Sequence, residues 1–332
     1  MKKFFSTAII TFIGVLIALL PAGAADKWEK IKDSGGIKLY ERAVPGTDLM
    51  EYMAVGAIDS RIEVIGEALR DVPAFNQWQT DCYGAQIEKK YDKNTFVMYM
   101  VLKPPVIEER DIVLKDKTVY DYEHGKANIS FFCTNEVKIP LEKKRTRVTI
   151  MDGSFSMEYL GREKTKFIYK LKVDPAGSIP KRVAYGVMKS YPYDTIKGLR
   201  KHMAKNAKYA QAARGSEEEK KIEGIVGNEP VVRRILSDRL ARVARNRAAM
   251  AAVVAADKEG VGSIMKSRGN YAAVEKATTE IFVKYLEKTM GDKDKVDRLR
   301  KNKKLVEELT DMVVTQTEAT TDTIESIVAK YL

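Results

Sequence analysis

The side chains that most often carry chemistry are sparse in this chain of 332 residues. It has two histidines, His124 and His202, and two cysteines, Cys82 and Cys133. Neither histidine has a cysteine or second histidine at zinc-ligand spacing. Neither sits in a recognisable nucleophile context. The phosphate-cradling patterns G-x-x-x-x-G-K and G-x-G-x-x-G are missing from the sequence. What remains for proton transfer is the pair Arg110-Asp111 with Tyr99 and Tyr169, and no two of these show distinct acid and base roles. The residue types therefore point to a binding protein rather than an enzyme, with no metal and no cofactor.

The elements that must position these residues fall into two parts. Met1-Lys2-Lys3, the apolar run Ala8–Leu20 and the small residues of Pro21-Ala22-Gly23-Ala24-Ala25 make a secretory signal pattern. At 13 residues, the run is shorter than the roughly 20 a spanning helix needs. Residues 1–25 are expected to be a signal peptide, cleaved after Ala24 or Ala25, and the mature protein to be periplasmic. Residues 26–214 carry 34 Lys+Arg against 26 Asp+Glu, and residues 215–332 carry 22 against 20. Gly215–Lys221 reads as a solvated hinge between them.

Upstream of the hinge, alternating apolar and polar residues predict strands at 36–42, 50–58, 84–90, 95–103, 110–120, 127–137, 145–151, 155–160 and 166–173. A helix is expected over 61–78. A meander of this many strands twists and has to curl around something, and a long helix from 181 is its natural cover. Downstream, Asn228-Glu229-Pro230 is a helix start. Further helices over 270–290 and 295–332, the last with a break around 317–322, make an all-α bundle of three to five helices. The arginines at 233, 234, 239, 242, 245 and 247 read as a solvated helix face rather than a nucleic-acid stripe, the bundle being nearly neutral. The fold class is α+β followed by a helical bundle.

Parity assigns the inward faces. Arg110, Ile112 and Leu114 share one; Ile129, Phe131 and Cys133 share another; Phe167, Tyr169, Leu171 and Val173 share a third, opposite Lys166, Lys170 and Lys172. These faces are apolar except for Arg110, and a lone buried guanidinium is costly unless paired.

Several ordered pieces carry a resemblance: Gly36–Arg42 with Val44-Pro45-Gly46, Trp78, Pro105 followed by Arg110-Asp111, Arg147-Val148, and Asp174-Pro175-Ala176-Gly177-Ser178-Ile179-Pro180. Together they resemble a START domain, the lipid-transfer domain related to steroidogenic acute regulatory protein, over about residues 27–213. The resemblance implies a helix-grip fold, a curved antiparallel sheet holding a C-terminal helix over a lipid-sized cavity. It also implies an arginine, here Arg110, pointing into the cavity near an acid. The acid's place falls at Gly84, so Glu88 or another carboxylate has to compensate, or Arg110 meets a ligand oxygen. The expected lining is Tyr99, Arg110, Ile112, Leu114, Ile129, Phe131, Cys133, Phe167, Tyr169, Leu171 and Val187.

The stretch 181–214 has nine Lys+Arg against one acid, Asp194. Val183, Val187, Ile196, Leu199 and Met203 can face the sheet and leave the bases outside. Such a basic amphipathic helix suits an anionic membrane surface, and Pro192 within it permits a kink. The expected function is binding or transfer of a phospholipid, sterol or hopanoid-like lipid. The alternatives are a cyclase-like enzyme on the same fold and a scaffold whose helical region binds a protein partner. Cys82 and Cys133 are expected as separate buried thiols rather than a bridge.

Overall fold

The computed structural model describes residues 27–178 and 180–332. The expected signal segment lies outside them. Ten strands form one sheet: β1 (Glu29–Ser34), β2 (Ile37–Ala43), β3 (Met50–Ile58), β4 (Cys82–Lys90), β5 (Thr95–Leu102), β6 (Glu109–Asp121), β7 (Lys126–Cys133), β8 (Arg145–Val148), β9 (Ile150–Gly161) and β10 (Lys164–Asp174). Their order is β1-β2-β3-β10-β9-β7-β6-β5-β4, with β8 alongside β6. All pairings are antiparallel except β8 on β6, which is parallel. Strand β1 has no counterpart in the sequence reading. Its residues EKIKDS lie almost wholly exposed at a sheet edge, so no apolar alternation marks it.

Between β3 and β4 the chain makes α1 (Ile62–Arg70) and then a 3-10 turn, Val72–Gln77. The single helix expected over 61–78 ends early because Pro73, near the start of the turn, has no amide to donate. After β10 come α2 (Lys181–Met188) and α3 (Tyr191–Lys205). The long cover helix is thus two helices that part at Lys189-Ser190. Pro192 is not an interior kink. It sits in the first turn of α3, where its missing N–H costs nothing.

The rest of the chain is α4 (Lys208–Ala213), α5 (Glu217–Val226), α6 (Glu229–Ala241), α7 (Arg247–Ala256), α8 (Lys258–Lys266), α9 (Tyr271–Met290), α10 (Lys293–Arg300), α11 (Lys303–Thr315) and α12 (Ile324–Val328). These helices are shorter and more numerous than the three to five expected. Side chains of Ser216, Asn228, Asn246, Asn270, Asp292, Asn302 and Thr323 each accept a backbone N–H at a helix start. These caps restart the chain where the apolar stripe alone reads as continuous.

The helical region is not a free-standing bundle. Ile222, Ile225, Val226 and Ile235 belong to the same buried cluster as the sheet's concave face. Its last segment lies against the convex face, where Trp28, Tyr40, Met53, Val55 and Ile168 are buried with Ala319 beside them. Lys166, expected on a solvated face, is 1% exposed. Its ammonium donates to the Gln316 carbonyl and lies 3.6 Å from Glu158. Arg242 grips Glu158 with two bonds, 3.0 and 2.7 Å, and Arg239 donates to the Tyr159 carbonyl. Burial works to raise the Glu158 carboxyl, yet the surrounding Lys166, Arg242 and Arg239 hold it down to about 2. Burial is also the main force bringing Lys166 down to about 8. Arg239 and Arg242, read as solvated, are therefore docking residues. Arg233 caps the end of α7 through the carbonyls of Val254, Ala255 and Asp257, and Arg234 pairs with Glu123.

Candidate functional site

The concave face of the sheet, covered by α2 and α3, holds the candidate site. Alternation along β6 turns Ile112 and Leu114 inward, and their cross-strand partners Met100 and Met98 turn the same way. Ile129 and Phe131 on β7, Phe155 and Met157 on β9, and Phe167, Tyr169 and Leu171 on β10 complete the face. The rings of Phe131, Phe155, Phe167 and Tyr169 pack together, with the Phe155 and Tyr169 centroids 4.6 Å apart. Tyr191, the first residue of α3, meets Tyr169 edge-on at 6.5 Å. Ile196 and Leu199 of α3 are fully buried on the same cluster, and Val187 and Cys133 pack half-buried at its margin. Val183, expected to face the sheet, is exposed. At Gly198, α3 approaches the Trp78 backbone so closely that a Cβ would lie 2.1 Å from its carbonyl oxygen.

Tyr99 is not part of this lining. On β5 the inward residues are Phe96, Met98, Met100 and Leu102, while Val97, Tyr99 and Val101 form a small cluster on the other face. There the Tyr99 hydroxyl donates to Asp111 Oδ2 at 3.0 Å, and Arg147 clasps both Asp111 oxygens at 2.7 and 2.8 Å. Arg145 donates to Tyr99 and to Glu109. Burial works to raise the Asp111 carboxyl, but the bonds from Arg147 and Tyr99 hold it below the ordinary carboxylate range. The signal was legible, since Tyr99 has the opposite parity to its inward neighbours.

Arg110 is buried, 3% exposed. Glu88 does not compensate it, being half-buried on β4 and bonded to Gln86. Arg110 instead donates from Nε to the Pro175 carbonyl at 3.2 Å, and from its terminal nitrogens to the carbonyls of Ala176 at 3.3 Å and Glu108 at 2.5 Å. Burial pulls its guanidinium below the ordinary value. The corner it holds is unusual. Ala176 has φ +56° and Gly177 φ +81°, and the left-handed region is costly for a residue with a Cβ. Asp174 Oδ1 accepts the Ala176 amide at 2.9 Å and helps fix the turn.

With this grip geometry in hand, comparison with known proteins is decisive. A family model described as START domain matches residues 17–209. The chain belongs to the START domain family. Residues 210–332 lie outside the match. An uncharacterized protein of Pseudomonas aeruginosa is 27% identical over 183 residues, 53% of this chain and 86% of its own length. A STAR-related lipid transfer protein fragment from Xanthomonas axonopodis is 26% identical, with TM-score 0.50, covering 54% of this chain and 100% of that one. Human STARD10, at 18% identity and TM-score 0.50, covers 56% of this chain and 76% of its own and shares the fold.

Within this START domain, three residues with polar atoms face inward that the sequence reading did not assign to the interior. Asp116 follows Leu114 on the inward face of β6 and is 5% exposed. Trp78 and Gln79 follow the 3-10 turn beneath α3 and are buried. The interior is thus not apolar apart from Arg110. One more step of the 110-112-114 alternation reaches Asp116. Both cysteines are free, Cys82 buried and Cys133 half-buried, and burial pushes their thiols up to about 12 and about 11. His202 is buried with its ring nitrogens on Tyr209 and Asn206, while His124 pairs with Asp121. Among the described residues, no cluster of His, Cys, Asp and Glu could hold a metal ion. No described helix is long and apolar enough to cross a membrane. Hollows of about 810 and 730 Å3 lie outside the grip, in seams between the sheet and the C-terminal helices, lined in part by Arg200 and Asp311.

Proposed function

We propose that this protein binds a lipid between the concave face of its sheet and the two-part cover α2–α3, and carries it between membranes without covalent chemistry. The observation that carries the reading is the combination of a five-strand apolar face with a cover broken at Lys189-Ser190 and anchored there by Tyr191. Transferring apolar ligand surface out of water gains roughly 25 cal/mol per Å2, so even a modest lipid is held by several kcal/mol. Admission requires Tyr191 to leave Tyr169, and the break after α2 is where the cover can bend.

A non-enzymatic role is supported by the way the candidate acid–base groups are divided. Tyr99 and Asp111 lie on the outer face in an ion-pair network, Arg110 is committed to carbonyls, and Tyr169 is sealed in the ring cluster. Arg182, Lys197, Lys201 and Lys205 remain exposed on α2 and α3, whereas Lys189, Arg200 and Lys208 are engaged with Glu41, backbone carbonyls and Asp71. The four exposed bases suit an anionic bilayer, at about 1 kcal/mol each near its surface. In this reading the N-terminal pattern delivers the protein to the periplasm, and the helical region braces the sheet or docks a protein partner.

The test is movement of a fluorescent phospholipid from donor to acceptor vesicles. The protein accelerates it, more so when the vesicles contain anionic lipid. Transfer no faster than in buffer at any vesicle composition overturns the reading.

A further inference from the structure

The carboxyl of Asp116 is out of place in the grip. It stands on the inward face of β6, opposite Phe96 on β5 and Phe131 on β7, both buried in the apolar core. Its Oδ1 accepts no hydrogen bond among the described residues. No lysine or arginine contributes to its ionisation, which burial alone pushes up to about 7. An isolated carboxylate in such surroundings is among the costlier groups a core can contain, and an apolar residue of similar size would pack there at no such cost.

Two further buried polar atoms are unsatisfied in the same interior. Trp78 Nε1, a donor, and Gln79 Oε1, an acceptor, have no partners among the described residues. Gln79 Nε2 reaches the Tyr191 hydroxyl at 3.4 Å. Tyr191 packs against Tyr169, whose own ionisation feels the charge of Asp116. The unsatisfied groups therefore flank one chain of rings running from the sheet to the cover helix, where the lipid reading puts its ligand.

We propose that Asp116 selects a neutral lipid whose buried end carries a hydroxyl group, which donates to Asp116 Oδ1. An anionic head group is repelled by the ionised carboxyl. An ester or ether offers only acceptors and leaves Asp116 as unsatisfied as before. The proposal rests on the lipid-binding reading and adds the chemistry of the inserted end. Arg110 takes no part in it, because its bonds close the corner after β10.

The test compares 1-dodecanol with its methyl ether, two molecules of nearly equal apolar body that differ in one donor. Each displaces Nile red from the full-length protein at pH 8, where Asp116 is ionised. Leaving a buried acceptor unpaired costs enough to make the alcohol roughly tenfold or more the tighter ligand. Asp116→Leu and Asp116→Asn, the second nearly isosteric in case the first disturbs folding, bring the two affinities together. Equal binding of both molecules to the unaltered protein, or a preference that survives both substitutions, overturns the assignment of Asp116 and leaves the lipid reading standing. Failure of both molecules to displace the dye overturns the two together.

Discussion

Arg110 and Ala176 hold each other across the mouth of the grip. The guanidinium donates to the Ala176 carbonyl at 3.3 Å, and Ala176 adopts a left-handed backbone conformation with φ +56°. The corner that launches the cover helix is thus a strained turn closed by a buried cation. Arg110→Leu leaves the Pro175, Ala176 and Glu108 carbonyls without this donor and is expected to destabilise the protein by about 1–3 kcal/mol in urea unfolding. Arg110→Lys is expected to recover little, since one ammonium cannot reproduce the fork. Ala176→Gly, which removes the Cβ from a left-handed position, is expected to be stabilising or neutral. A wild-type stability for Arg110→Leu would show that the corner closes without it.

The proposed lipid transfer requires the cover to move. Lys189, at the break between α2 and α3, pairs with Glu41 on β2 at 3.0 Å. Cysteines introduced as Glu41→Cys and Lys189→Cys and joined by a short cleavable crosslinker are expected to slow lipid exchange at least tenfold. Cleaving the linker should restore the rate. Unaltered exchange in the crosslinked protein would rule this helix pair out as the gate.

Asp116 makes stability depend on pH in a definite direction. Its folded carboxyl ionises at about 7 against an ordinary value of 3.8, so the folded state holds its proton more tightly than the unfolded chain. This contribution is intact below about pH 4 and is lost as pH rises to about 7, with a total of roughly 4 kcal/mol. Asp116→Asn is therefore expected to gain stability over wild type between pH 4 and 8 and to show little difference at pH 4. A constant difference in denaturation midpoint across that range would contradict the assignment.

Glu158 sits among Lys166, Arg239 and Arg242 where the helical region meets the convex face. Glu158→Ala removes the partner of the buried Lys166 and Arg239 and the half-buried Arg242, and about 3–5 kcal/mol of destabilisation is expected. Lys166→Met combined with it should cost less than the two changes added, because they share the network. Trp28, whose Nε1 donates to Glu318 at 3.0 Å, offers a fluorescence signal for loss of docking separate from Trp78 in the grip.

The sheet and its cover were readable because alternation along β6, β7 and β10 is strict and the DPAGSIP corner is distinctive. What could not be read followed from tertiary burial. Lys166 and Arg239 look like surface residues by type, and only the packing of the C-terminal helices on the sheet makes them interior. Strand β1 is invisible because its exposed side chains carry no apolar period. The helix breaks at Asn246, Asp292 and Asn302 were in plain view as caps, but the apolar stripe outweighed them. Tyr99 was placed by residue type where parity should have ruled, and Asp116 was missed by stopping the same parity one step early.

The most direct test of the central claim is native mass spectrometry of the full-length protein, purified without detergent from cells that express it. A grip that holds lipid predicts a bound species of lipid mass, one per chain, released by organic solvent and replaced when the stripped protein meets vesicles. A protein that emerges empty, and stays empty after incubation with vesicles, would contradict it.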